Sequence, residues 1–331
     1  MLKHPYLLFV GNAADQLAAK TALGVLQWRP EWCIGQVRLP GCRATLSLPE
    51  MTPEEGAAAG AGTLIVGVAN AGGFIAPDWI DSLSRALDAG LDLASGLHER
   101  LSDIPRLREP AERLGRSLHD VRHPRRSFAV GTGEPRPGNR LLTVGTDCSI
   151  GKMYTALALT RAMRERGIDA DFRATVQTGI FIAGDGVSVD AIVGDFISGA
   201  TEWLTPAAAP GHWDVIEGQG SLFHPSYAGV SLGLLHGAQA DALVMCHEPT
   251  RTNMRGLPNR TLPDIEDCIV ANEHGARLTN PRARCIGVAV NTSGLPHDDA
   301  ERYLTGLEDR LGMPCVDPLV QGVGRIVERL P

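Results

Sequence analysis

Aromatic residues are scarce in this chain: seven Phe, five Trp and four Tyr make up 5% of 331 residues, against 38 Gly. That balance excludes an aromatic-rich β-sandwich core and suits helices packed closely on a parallel sheet. Cysteine pairs at metal or redox spacing are also missing. The seven cysteines, at positions 33, 42, 148, 246, 268, 285 and 315, contain no C-x-x-C and read as reduced thiols rather than disulfides or a zinc site. No apolar run approaches membrane-spanning length, and the N-terminal stretch Tyr6 to Val10 is well short of a signal-peptide core. A soluble, cytoplasmic protein without a membrane partner is expected. Concentrated basic charge is lacking too. The net charge is −7, and the one basic cluster, Arg122 to Arg126, is short and set among prolines, which excludes nucleic acid as a partner.

What is present points to two α/β domains, the number a chain of this length ordinarily holds. Tyr6 to Val10 reads as a buried strand, and Asn12 to Asp15 offers capping chemistry for a helix running to about Trp28. The apolar run Thr63 to Val68 leads into the turn Ala69-Asn70-Ala71-Gly72-Gly73, and Pro77 then opens a helix through Leu87. Asp92 to Ser95 is a further short strand. Residues 1–122 are therefore expected to form a Rossmann-like parallel-sheet domain. Residues 123–139, rich in Pro and Gly and without apolar periodicity, are expected to be a linker.

Residues 140–331 are expected to form a second, doubly wound P-loop domain. It starts with strand Arg140 to Val144, a glycine-bearing turn, and a helix from Lys152 that Gly167 ends. Trp213 to Ile216, Ala242 to Cys246 and Cys285 to Val290 read as central parallel strands. The turn itself, Gly145-Thr146-Asp147-Cys148-Ser149-Ile150-Gly151-Lys152-Met153, carries the main functional signal. Its glycines permit a tight loop, backbone N–H groups converge at a helix N-terminus, and Lys152 adds a compact positive charge, which together make a phosphate site. Two features depart from the common nucleotide-binding pattern. Five residues separate the glycines instead of four, and Met153 stands where a Ser or Thr would hold Mg²⁺.

The loop resembles the G-T-D-T-x-x-G-K-T segment of dethiobiotin synthetase and its relatives, and Gln177-Thr178-Gly179, Glu217-Gly218-Gln219-Gly220-Ser221 and Val290-Asn291-Thr292 fall in the matching order. Both halves of the chain look closer to the D-glutamate N-acetyltransferases, long catalogued as a conserved domain of unknown function. The segments carrying this resemblance are Gly145 to Met153, Gln177 to Gly184, Glu217 to Ser221 with His224-Pro225, and Cys246-His247-Glu248-Pro249 through Arg255-Gly256. It implies an N-terminal Rossmann-like domain, a C-terminal P-loop domain, and transfer of acetyl from acetyl-CoA to D-glutamate.

Such a reaction needs a base for the ammonium proton, donors for the thioester oxyanion, and cations for the acceptor's carboxylates. Glu217, after a central strand, is the first candidate for base or amine anchor, and bracing of the phosphate loop is its structural alternative. Asp147 and His247 are further catalytic candidates. Gln177, Thr178, Gly179, His224, Arg251 and Arg255 are candidates for binding the small amino-acid substrate, the two arginines by a forked grip on a dicarboxylate. Gly145, Thr146, Cys148, Ser149, Ile150, Gly151, Lys152 and Met153 would hold the CoA diphosphate, a task that needs no metal. An ATP- and Mg²⁺-dependent ligase or kinase, with Asp147, Asp185 and Glu217 as metal candidates, and a non-catalytic nucleotide- or CoA-binding regulator stay open as alternatives. P-loop relatives imply a homo-oligomer, dimer or tetramer.

Overall fold

The structure, a computed structural model, describes residues 2–70, 72–124 and 126–331. Ala71, in the expected Gly-Gly turn, and Arg125, in the basic cluster, lie outside the described residues, as does Met1. The chain divides into two compact units, one of Met1–Arg125 with Val176–Ala191 and one of Arg126–Thr175 with Ile192–Pro331. Each is built on one all-parallel sheet, so the α/β expectation holds for both.

In the first unit, strands β1 (Tyr6–Gly11), β2 (Cys33–Arg38), β3 (Thr63–Val66), β4 (Asp92–Ser95) and β5 (Leu118–Asp120) lie in the order β2-β1-β3-β4-β5. Every residue of β1, β3 and β4 is buried, which is why these strands read as continuous apolar runs rather than alternating ones. Helix Ile80–Asp88 turns Ile80, Leu83, Ala86 and Leu87 into a core shared with Leu7, Phe9, Leu64, Val66 and Leu93. The helix expected from Asn12 begins only at Lys20, because the Asp15 carboxylate accepts the Ala18 N–H at 2.8 Å and holds a turn instead. Pro77 opens a single 3₁₀ turn, Pro77–Trp79, before the α-helix starts.

In the second unit, β6 (Asn139–Gly145), β7 (Ala170–Arg173), β8 (Trp213–Ile216), β9 (Ala242–His247), β10 (Arg284–Val290) and β11 (Cys315–Val316) lie in the order β11-β10-β9-β6-β8-β7. Strand β6 pairs with β9 on one side and β8 on the other, so the strand order reverses there. The carboxyl end of β6 is thus the switch point at which open α/β sheets leave a crevice for ligands. Helices Lys152–Glu165, Ala228–Ala238, Ile265–Arg277 and His297–Leu311 follow the strands. Leu142, Val144, Ile216, Leu243, Met245, Val288 and Val290 form the core beneath the switch point.

Two stretches differ from expectation. Residues 126–139, expected as a linker, belong to the second unit. The Arg126 guanidinium lies 4.6 Å from the centre of the Trp203 ring, Thr132 and Gly133 donate N–H bonds to Glu202, and Arg136 bonds the Thr205 carbonyl and that of Gly237. Segment Val176–Ala191 leaves the P-loop half of the sequence and packs in the first unit. There Tyr6 Oη bonds the Phe181 carbonyl, Arg29 Nε the Ile182 carbonyl, and Arg122 Nη2 the Gln177 side chain. Among the described residues no helix is long and apolar enough to cross a membrane.

Candidate functional site

The glycine-bearing turn joins β6 to helix Lys152–Glu165, as its sequence requires. Gly151 (φ 105°) caps the helix and Ser149 takes φ 55°, so the loop curls back over the helix start. Gly145 leaves room for the loop's own side chains, since a Cβ there would lie 2.7 Å from Ile150 Cδ1 and 3.2 Å from Lys152 Nζ. Lys152 is 6% exposed, and its ammonium donates to the Asp147 carbonyl at 2.7 Å across the mouth of the loop. Burial lowers the pKa of this ammonium, with the opposing influences of Cys246, Cys148 and Asp147 following. Met153 is half-buried at the second helical position, offering no hydroxyl to a metal.

Strand β8 supplies the second wall. A Cβ on Gly218 would sit 1.6 Å from the Thr143 carbonyl oxygen, so only glycine fits, and its N–H donates to Thr143 Oγ1 at 2.9 Å. Glu217, 1% exposed, accepts the Thr175 N–H on Oε2 at 3.0 Å, and its carbonyl accepts Thr175 Oγ1 at 2.7 Å. The carboxylate therefore ties the end of β8 to the chain leaving β7.

Strand β9 supplies the third wall. His247, its last residue, bonds Thr146 Oγ1 through Nδ1 at 3.1 Å and stacks near Tyr303 at 6.2 Å between ring centres. Burial, helped by the Arg310 charge and opposed by Asp264, brings its pKa from 6.5 down to about 4. Burial thereby favours the neutral imidazole at pH 7, with Thr146 as the hydrogen-bond partner of its Nδ1.

Beyond β9, the loop from Glu248 to Arg260 folds onto the phosphate loop. Arg251 is fully engaged there: Nη1 donates to Asp147 Oδ2 at 3.0 Å and to the Cys148 carbonyl at 2.7 Å, while Nη2 donates to Glu248 Oε2 at 2.6 Å and the Ser149 carbonyl at 3.3 Å. This guanidinium clamps the loop rather than reaching outward for a dicarboxylate. Asp147 is wholly buried. Burial pushes its pKa up, but the Arg251 hydrogen bond and the N–H groups of Arg255 and Cys148 outweigh that and leave it below the ordinary range. His224, 1% exposed, accepts the Ser226 N–H on Nδ1 at 3.2 Å, so its proton sits on Nε2 and is donated to the Arg255 carbonyl at 3.1 Å.

The candidates from sequence thus divide. Asp147, Glu217, His224, His247, Arg251 and Arg255 converge with Gly145–Met153 in the second unit. Gln177, Thr178 and Gly179 belong to the first unit, with the Gln177 side chain held by Arg122. Asp147, Cys148 and His224 have ligand atoms within 4.8 Å of one another. A cation there would compete with the N–H groups held by Asp147 and with the Ser226 N–H on His224 Nδ1, or else with the bond from Nε2 to the Arg255 carbonyl, and burial pushes the Cys148 thiol up and away from thiolate. Thr143 and Thr175, whose hydroxyls knit Gly218 and Glu217 into the site, were missed from sequence. A buried threonine beside a glycine-rich strand end is their only signal.

Comparison with known proteins gives the same two-part plan. Residues 128–327 match the family described as "Domain of unknown function (DUF1611_C) P-loop domain", and residues 37–124 match "Domain of unknown function (DUF1611_N) Rossmann-like domain". A D-glutamate N-acetyltransferase of Tritonibacter scottomollicae is 53% identical over 330 residues, covering 100% of this chain and 99% of its own. A second, from a Pseudoalteromonas species, is 48% identical over 329 residues, covering 99% of each chain. The crystal structure of a DUF1611 family protein from Anabaena variabilis superimposes with a TM-score of 0.86 at 29% identity, over 99% of both chains.

Proposed function

Because the chain belongs to the DUF1611 family, we propose that it transfers the acetyl group of acetyl-CoA to the amine of D-glutamate, with the CoA diphosphate held in the loop Gly145–Met153. The observation that carries this reading is the 53% identity, over the full length, to a D-glutamate N-acetyltransferase. The loop supports it chemically. Its glycine-bearing turn at a helix N-terminus and its buried Lys152 suit a diphosphate that is bound but never cleaved, and Met153 removes the hydroxyl a Mg²⁺-dependent phosphoryl transfer would use.

In the reaction the neutral amine attacks the thioester carbonyl, the C–N bond forms, the C–S bond breaks, and CoA leaves as the thiol. A base takes the ammonium proton before attack. From ordinary bond lengths the pantetheine arm carries the thioester about 15 Å from the diphosphate. With the diphosphate in the loop, Asp147, Glu217 and His247 act on its seat, and the base lies at the far reach of the arm. Glu217 is then the brace of β8 rather than the proton acceptor. The cytoplasmic location and the dimer or tetramer implied by P-loop relatives belong to this reading, and light scattering in solution tests the latter.

The direct test incubates the purified protein with acetyl-CoA and D-glutamate, following free-thiol release and the mass of the product. N-acetylated glutamate formed in step with thiol, faster from the D than the L enantiomer, supports the reading. Thiol release without that product, or none at all, overturns it.

A further inference from the structure

Arg255 is treated differently from its neighbour Arg251. Its side chain is exposed and, among the described residues, makes no hydrogen bond or ion pair, yet its peptide is gripped at both ends by buried side chains. The wholly buried Asp147 carboxylate accepts the Arg255 N–H at 2.8 Å, and the buried His224 ring donates to the Arg255 carbonyl at 3.1 Å. Two buried polar groups from different parts of the sequence, one of them in the phosphate loop itself, fix a single residue of an otherwise irregular loop. Holding a backbone so firmly is useful when the side chain it carries must point one way.

Charge indicates what that side chain meets. Arg251 is neutralised by Asp147 and Glu248. Among the described residues Lys152, Arg255 and Arg260 are left without a carboxylate partner, and of the two arginines it is Arg255 whose peptide is tied to the phosphate loop through Asp147; a CoA diphosphate carries two negative charges. Burial and Asp147 push the Cys148 thiol up, while the charges of Lys152 and Arg255 both pull it down, so the two cations act at the same loop residue.

We propose that Arg255 is a second phosphate-binding cation of the loop, contacting the cosubstrate and not the amino-acid acceptor, and that Asp147 and His224 are its positioning residues. This rests on the acetyl-CoA reading for the identity of the ligand but not for its phosphate. It moves Arg255 and His224 from acceptor binding, and Asp147 from the chemistry, to the holding of one anion.

The test is calorimetric titration of the full chain with CoA, ADP and phosphate-free pantetheine, for the wild type, Arg255→Gln, Arg255→Lys, Asp147→Asn, His224→Gln and the Arg255→Gln/Asp147→Asn pair. Loss of a charge-assisted contact is expected to weaken the diphosphate ligand roughly ten- to a hundredfold, with pantetheine and D-glutamate unaffected. Arg255→Lys should recover part of the loss. The pair should lose less than the sum of the two single losses, because part of what Asp147 does runs through Arg255 and the rest through Arg251. Should Asp147→Asn fail to fold, His224→Gln paired with Arg255→Gln makes the same comparison. Losses that add, or an Arg255→Gln protein that binds CoA normally and D-glutamate poorly, overturn the proposal. A wild type that binds ADP but not CoA refutes the cosubstrate reading alone, and the Arg255 assignment is then judged on ADP.

Discussion

Acid should loosen this site before it unfolds the rest of the fold's chemistry, and His247 is the reason. The ring is buried against Thr146 and Tyr303, and its pKa is brought from 6.5 to about 4. The unfolded chain therefore takes up a proton as pH falls through 6.5, whereas the folded chain resists until about pH 4. Across that window the unfolded state binds more protons, so stability is present above 6.5 and drains away on acidification. The full difference corresponds to about 3 kcal/mol, a large share of an ordinary domain's stability. His247→Asn keeps a hydrogen-bonding partner for Thr146 and removes the titration. Urea unfolding at pH 7 and pH 4.5 should show the wild type losing about 2 to 3 kcal/mol more than His247→Asn, carboxylate titrations being common to both. Equal losses in the two proteins would refute the assignment of a buried neutral ring.

Other expectations follow from the same geometry. Gly218→Ala forces a Cβ against the Thr143 carbonyl and should lower the thermal midpoint by several degrees, or prevent recovery of folded protein; a normal midpoint would contradict the packing of β8 on β6. EDTA should leave acetyl transfer unchanged, since Met153 offers no metal ligand at the loop and the diphosphate is not cleaved; loss of activity restored by Mg²⁺ would favour phosphoryl chemistry. Glu217→Gln should weaken CoA binding and lower the thermal midpoint through its bond to Thr175, with kcat at saturating acetyl-CoA changing less than tenfold; a collapse of kcat with intact CoA affinity would restore Glu217 as the base.

The parts of the fold legible in sequence are those specified locally. β6, the loop and its helix were readable because an apolar run, two glycines and a lysine at fixed spacing dictate a strand, a turn and a helix start within fifteen or so residues. β5 and β11 were not, being three and two residues long, too short for any periodicity. Segment Val176–Ala191 escaped because nothing local says that Phe181 and Gln177 pack among residues more than fifty positions earlier. At the site, sequence named the converging residues but not their directions. Arg251 and Arg255 look like one forked grip when written four apart. Only folding reveals that the first turns inward onto Asp147 while the second is held by its backbone with its side chain outward. A buried carboxylate such as Asp147 or Glu217 reads from sequence as a reactive acid, and its N–H partners come from strands and loops remote in the chain.

The central claim is that a ring of loop amides and one buried ammonium hold the cosubstrate by its phosphates. Titrating CoA into the wild type and Lys152→Ala tests it most directly. Expected is a loss of roughly tenfold or more in affinity for the variant, with D-glutamate binding unchanged. CoA binding equally well to both proteins, or to neither, would contradict it.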